Sequence, residues 1–188
     1  MMMKAATFTV ATTMLLAVPA SAAHWKMDYA KSKVGFTVNW TGQPFSGSFK
    51  AWRADINFDP ADLAHSRADV TIDTGSESSG DAETDDGVKG AQGFQATDFP
   101  TALFQTTSFA HRGGNDYVAN GVLSIKGISK GVTLPFTLTL SGSTAHVVGK
   151  AQILRTDFRV GTGEWAKPDP VSRDVTVTID LVAIRSGS

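Results

Sequence analysis

Side chains able to do chemistry are few in this chain, and they stand apart. His24, His65, His111 and His146 are the only histidines. None has a second histidine at helical or strand spacing, so each reads as a surface or loop residue rather than a metal ligand or general base. Asp81, Glu83, Asp85 and Asp86 form the densest acidic run and begin like a calcium loop. Asp86 then stands where that loop needs glycine, and Gln92 where it needs a bidentate glutamate. A solvated loop or the acidic first turn of a helix is the better reading. Arg155-x-Asp157-Phe158 leaves two readings open: contact with a ligand head group, or an ion pair bracing one end of the fold. There is no nucleophile elbow, phosphate loop or dinucleotide fingerprint. With no cysteine, thiol catalysis and thiolate metal sites are excluded. The chain therefore reads as a binder without enzymatic activity, cofactor or metal.

What it does hold is apolar bulk, and the elements that must position that bulk are strands. Val34, Phe36, Val38 and Trp40 alternate with Gly35, Thr37, Asn39 and Thr41. Ala68, Val70 and Ile72 do the same, as do Val132, Leu134, Phe136, Leu138 and Leu140, and later Val175, Val177, Ile179, Leu181 and Ala183. Period-two alternation puts one greasy and one wet face on each strand, the mark of antiparallel sheet with one solvated side. Weaker strand patterns cover 46–52, 54–59, 101–109 and 145–154. Tyr117, Ala119, Leu123 and Ile125 face Val132–Leu140 across a reversal assigned to Lys126–Gly131. Pro135 lacks an amide donor, so a bulge or a strand opening is expected there.

Eight or nine such strands make a sandwich or a barrel, and closure removes the sticky edges that amphipathic strands would otherwise present. The predicted fold is all-β: a single antiparallel eight-stranded barrel, with a short helical loop near 80–95 inside the Gly-, Ser- and Asp-rich stretch 74–100. Its interior is either packed solid or hollow, and alternation alone does not distinguish the two. The hollow reading is a cavity for an apolar ligand. Its candidate lining is Phe36, Val38, Trp40, Phe49, Phe58, Val70, Ile72, Phe94, Phe99, Phe104, Leu123, Ile125, Phe136, Leu138, Phe158 and Trp165.

Residues 1–22 have the charged start (Lys4), the short apolar run and the Ala20-Ser21-Ala22 exit of a secretory signal peptide. Cleavage after Ala22 leaves one domain over 23–188, expected to be periplasmic or secreted. At about 165 residues, that domain is long enough for a substantial core. The net charge of −1 offers no footprint for nucleic acid. An outer-membrane barrel fits poorly, because the strands keep polar residues on the face that lipid would require to be apolar.

Several segments, in order, resemble one family. They are Trp25–Asp28 with Ser32–Phe36, Phe45-Ser46-Gly47-Ser48-Phe49, Ile56–Pro60, Ile72–Gly75, Asp98–Phe104, Gly121–Lys130, and Leu154–Phe158 with Asp174-Val175. Together they resemble the YceI-like polyisoprenoid-binding proteins, over about residues 25–184. The resemblance implies an extended lipocalin-like barrel whose tunnel holds a long isoprenoid or fatty-acyl chain. An alternative it implies is an accessory protein presenting isoprenoid quinone to a membrane electron-transport cytochrome. The chain departs from the family at Gly93-Phe94, where relatives often carry two aromatics, and in the glycines at 80, 87 and 90. The sequence leaves monomer and homodimer both open.

Overall fold

The computed structural model describes residues 23–167 and 169–186; the leader expected over 1–22 lies outside the described residues. Eleven strands form one sheet. They are β1 (His24–Met27), β2 (Lys33–Trp40), β3 (Gln43–Phe49), β4 (Trp52–Asn57), β5 (Arg67–Asp73), β6 (Glu77–Ser78), β7 (Thr101–Gly113), β8 (Asp116–Ile125), β9 (Ile128–Ser141), β10 (Thr144–Leu154) and β11 (Val171–Arg185). One helix, α1 (Ala82–Lys89), sits between β6 and β7. It falls within the loop where a short helix was expected.

The sheet closes on itself. β11 pairs with β10 on one side and, on the other, with β1 through Met27↔Ala183 and with β2 through Val34↔Ile179. β1 and β2 are thus two lengths of one stave, interrupted by a 3-10 turn at Tyr29–Lys31. Ser32 pins that break: its hydroxyl donates to the Asp28 carbonyl at 2.7 Å and accepts from the Val182 amide at 2.9 Å. β3 and β4 form the next stave, paired with β2 and β1 respectively. β5 and β6 form a third, paired with β4 and β3. With β7 to β11 the staves number eight, all antiparallel, in a closed barrel.

Alternation places most of the apolar residues inside, although Leu140, at the end of its alternating run, is 45% exposed. The largest buried cluster includes Trp25, Phe58, Tyr117, Phe136, Leu138 and Leu181. Its rings are fixed against one another: Tyr117 stacks on Phe136 at 5.6 Å between centroids, and Phe58 meets Tyr117 edge-on at 5.7 Å. The Trp25 indole N–H donates to the Phe58 carbonyl at 2.9 Å, so its polar end is satisfied without solvent.

The β8–β9 reversal is tighter than the expected six residues. Ile125 pairs directly with Ile128, leaving a two-residue turn of Lys126 and Gly127. Both have positive φ, 51° and 71°, which is the type I′ geometry whose twist matches the flanking strands. Lys126 therefore takes a left-handed conformation that its side-chain contacts must offset. Pro135 marks the expected opening. β9 pairs with β8 through Pro135, but its ladder with β10 begins only at Phe136↔Gly149. β7 and β11 run to 113 and 185, longer than their patterns indicated, with register shifts at Thr106/Ser108 and Val171/Val175.

The facing assignment has a direct consequence. Phe136→Asp buries a charge among rings and is expected to cost at least about 3 kcal/mol. Thr139→Asp, on the outer face opposite His146, is expected to stay within about 0.5 kcal/mol of wild type. Urea unfolding of both variants checks this.

Candidate functional site

The barrel interior is hollow in two places. One cavity, about 140 Å³, lies at the end capped by α1 and by a strap over 155–167; Phe36, Val38, Trp40, Phe49, Phe94, Ile125, Phe158 and Trp165 are among its walls. The other, about 170 Å³, lies toward the opposite end, among Phe58, Val70, Phe104, Phe136, Leu138 and their neighbours. Five residues line both cavities, namely Val34, Ile72, Leu123, Ile153 and Val177. They form a waist between two chambers in series. Both chambers are carbon-walled, so water entering either would find no hydrogen-bond partner.

All but one of the residues expected to line a cavity do so. The exception is Phe99. Its amide donates to the Gln95 carbonyl at 2.9 Å, and its carbonyl accepts from the Thr74 hydroxyl at 2.8 Å. The loop is thereby held so that the Phe99 ring faces the hairpin turn at Gly127 instead of the interior. Beyond the aliphatic residues already expected, the walls include Val34 and Val177. Val34 and Val177 belong to alternating stretches whose inward face was already evident, and the same signal would have promoted them to the lining.

The capped end is built by residues whose roles the sequence did not disclose. Arg155 is 5% exposed and lines the first chamber. It makes no ion pair with Asp157. Its Nε donates to the Ser172 carbonyl at 2.8 Å and its Nη1 to Val160 at 3.0 Å and Gly161 at 3.3 Å. Its Nη2 serves the Trp165, Lys167 and Val171 carbonyls. Every donor of the fork is thus spent on backbone, which ties the strap into one piece. A Cβ at Gly161 would fall onto the guanidinium, so that position must be bare. Burial, followed by the neighbouring Arg173, lowers the Arg155 pKa from its ordinary value. Of the two readings of Arg155-x-Asp157, the structural one holds in altered form: the arginine braces the barrel end through carbonyls.

Lys126 works in the same way from the hairpin turn. Its ammonium donates to the Gly93 carbonyl at 3.2 Å and the Arg159 carbonyl at 3.1 Å, joining the helical loop to the strap. The strap and loop also meet directly, with the amides of Gly161 and Thr162 both donating to the Gln92 carbonyl at 2.8 and 2.9 Å. Trp165 packs edge-on against Trp40 at 5.9 Å and lies over Gly87 of α1. Asp81 caps α1 by accepting from the Thr84 amide at 2.8 Å, confirming the helix-start reading of the acidic run.

Glu77 is the anomaly of this end. It is 1% exposed, and both carboxyl oxygens are buried without a hydrogen-bond partner. It sits opposite Phe49 in the short β3–β6 ladder, with Oε1 and the Phe36 ring edge crowded over the bare Cα of Gly47. Desolvation foremost, then the nearby Asp85 carboxylate, raise its pKa from 4.5 to about 7, against a smaller opposing pull from Lys89. No local pattern around Glu77-Ser78 announced a buried acid.

The histidines are all exposed: His65 pairs with Asp62 and His146 with Asp180, His24 lies between Asp55 and Asn57, and His111 meets the Gly114 carbonyl. Among the described residues, no group of three or more His, Asp or Glu is placed to hold a metal ion. Among the same residues, no helix is long and apolar enough to cross a membrane.

Comparison with known proteins agrees with this architecture. The YceI-like domain model matches residues 25–183. A UPF0312 protein of Shewanella oneidensis is 31% identical over 165 residues, covering 86% of this chain and 80% of its own. Among solved structures, Burkholderia cenocepacia BcnA superposes with a TM-score of 0.81 at 39% identity, covering 84% of this chain and 99% of its own. A polyisoprenoid binding domain from Saccharophagus degradans, at 15% identity and a TM-score of 0.66, covers 89% of this chain and 100% of its own, and shows the shared fold.

Two substitutions test the construction of the capped end. Arg155→Lys keeps the charge but strands most of the carbonyls, and is expected to cost on the order of 3 kcal/mol in chemical denaturation. Glu77 gives stability a pH dependence with a defined sign. Its folded pKa lies above its unfolded value, so the native state holds the extra proton. The associated stability is full below pH 4.5, is lost as pH rises toward about 7, and is gone above that. Glu77→Gln is expected to abolish this part of the decline, read as Tm against pH.

Proposed function

The chain belongs to the YceI-like family, and on that footing we propose that it is a non-catalytic periplasmic carrier of a long-chain isoprenoid-type or fatty-acyl lipid. The observation that carries the proposal is the pair of carbon-walled chambers joined end to end through the waist at Val34, Ile72, Leu123, Ile153 and Val177. A chain of methylene and methyl groups asks for no hydrogen bonds, and each CH₂ buried contributes about 0.8 kcal/mol. Two chambers in series suit an extended occupant better than a compact one. Each is close in size to an engineered apolar cavity of roughly 150 Å³ that admits benzene. A long chain therefore threads both and pushes waist side chains aside. The leader-like residues 1–22 support export, and the Saccharophagus relative is itself a polyisoprenoid binding domain.

Two measurements test this. Mass spectrometry of an organic extract of gently purified protein is expected to show a long-chain isoprenoid or acyl lipid. An extract without lipid, from protein that also takes up no polyprenol in vitro, would overturn the proposal. Leu123→Trp is expected to close the waist at a packing cost of about 1–3 kcal/mol. Long polyprenols should then bind at least about tenfold more weakly, since every CH₂ kept out forfeits about 0.8 kcal/mol. An alcohol the length of geraniol, small enough for one chamber, should be little affected.

A further inference from the structure

Nothing in the binding of an apolar chain calls for a buried acid, yet Glu77 lies behind Phe36 and Phe49, which wall the first chamber, with no partner for either oxygen. We propose that Glu77 is a proton-operated latch on the chamber's mouth: protonated, it lies closed between β3 and α1; ionised, it drives β6 and α1 away from β3 and opens the chamber. This rests on the lipid-carrier reading for its purpose, but not for its physics.

Three features of the geometry carry the inference. The first is how short the closing ladder is. β6 is two residues long and pairs with β3 only at Ser48↔Ser78 and Phe49↔Glu77, with the Lys50 and Ala51 amides donating to the Ser76 carbonyl and hydroxyl at 3.0 Å each. The far end of the segment stays pinned, to the strap at Gln92 and to Lys126 at Gly93, so β6 and α1 swing about that end. The second is that β6 and α1 are tied to each other. Asp85 of α1 accepts from the Ser79 amide at 2.7 Å and from its hydroxyl at 2.6 Å, so the helix follows the strand. The third is what the pair covers. Val88 of α1, with Gly93 and Phe94 just beyond it, walls the first chamber, and Phe94 packs edge-on against Phe49 at 5.8 Å.

An ionised carboxylate in that crevice would lie against the Phe36 ring edge and the Gly47 backbone, with no donor to stabilise it. Leaving such a charge buried is far costlier than parting a two-residue ladder and admitting water. The charges that reach it are few. From α1, Asp85 opposes ionisation and Lys89 favours it. β3 offers Phe45, Ser46, Gly47, Ser48 and Phe49, none of them titratable, and β2 offers Phe36. Lys50, just past β3, is exposed, and the exposed Asp73 is committed to the Gly75 amide at 2.9 Å. The balance favours the neutral acid at mildly acidic pH and the open form above neutrality. The carrier would hold its cargo in the first condition and release it in the second.

Hydrogen exchange of the ligand-free protein tests the latch without reference to any lipid. After correction for the intrinsic chemical rate, protection across residues 76–94 is expected to fall on the order of tenfold from pH 5.5 to 8.5 in wild type, given the direction of linkage. Glu77→Gln should show no such fall. Lys89→Met, which removes the one cation favouring ionisation, should move the midpoint to higher pH with the amplitude intact. Release of bound N-phenyl-1-naphthylamine, an uncharged fluorescent probe, should quicken over the same range in wild type and not in Glu77→Gln. Protection independent of pH in wild type, or an unchanged fall in Glu77→Gln, would overturn the latch. Exchange that follows Glu77 in a protein that takes up no apolar probe would instead defeat the carrier reading and leave the latch standing.

Discussion

Everything in this molecule depends on β11 finding a partner on both edges. Fifteen residues long, it completes the ladder with β10 and closes it against the β1–β2 stave. Once the ring is closed, most wall backbone is satisfied by its neighbours, and the interior is left to side chains alone. Alternation fills that interior with carbon. Since eight staves enclose a space that their own side chains can just fill, small differences in side-chain volume decide between a solid core and a chamber. Here the valines and alanines interspersed among the rings leave two chambers, with a waist where aliphatic side chains from several staves converge.

Closure solves the wall but not the ends, and the two ends are finished differently. Away from the helix, the barrel is sealed by rings packed on rings, with the Trp25 indole returning its single donor to the Phe58 carbonyl. At the helical end, irregular segments cross the opening, and their carbonyls have no ladder to enter. Arg155 and Lys126 collect these orphan acceptors. A cation bound by carbonyl dipoles is a fair substitute for secondary structure where the chain must turn repeatedly. It also explains why Arg155 needs no carboxylate: its fork is saturated. The left-handed backbone of Lys126 is tolerated for the same reason, because the tight turn aims the ammonium at both crossing segments.

The strands were legible because period-two alternation is imposed by the wall itself, and every stave with a core face had to display it. The Gly-containing hairpin and the helix in the acidic loop followed from equally local chemistry. Arg155 was visible as a residue but not as a device, since its acceptors are backbone carbonyls of residues 160–172, and backbone atoms leave no trace in sequence. Phe99 was misplaced among the lining because ring size is a property of the residue, whereas ring direction is set by the Thr74 and Gln95 bonds to its backbone. Glu77 was invisible because its burial comes from three elements that only the closed barrel brings together.

The placement of that acid fits the logic of the two ends. A chamber meant only to be filled could be sealed with rings at both mouths, as one already is. At the other mouth the Arg155-bound strap shares the seal with a two-residue strand, a helix of two turns and a carboxyl that is comfortable only while neutral. Each of these last three weakens closure, and they coincide on a segment that, with the strap, caps the first chamber. Polar groups buried without partners are rare because they cost stability, and those that persist at a movable boundary are tolerated where the cost changes with conditions. Arg155 and Lys126 anchor the strap through backbone carbonyls and carry no carboxylate partner. Glu77, whose carboxyl burial pushes up to about 7, sits at the helical mouth and not at the ring-sealed one, so the pH dependence of closure falls on that mouth.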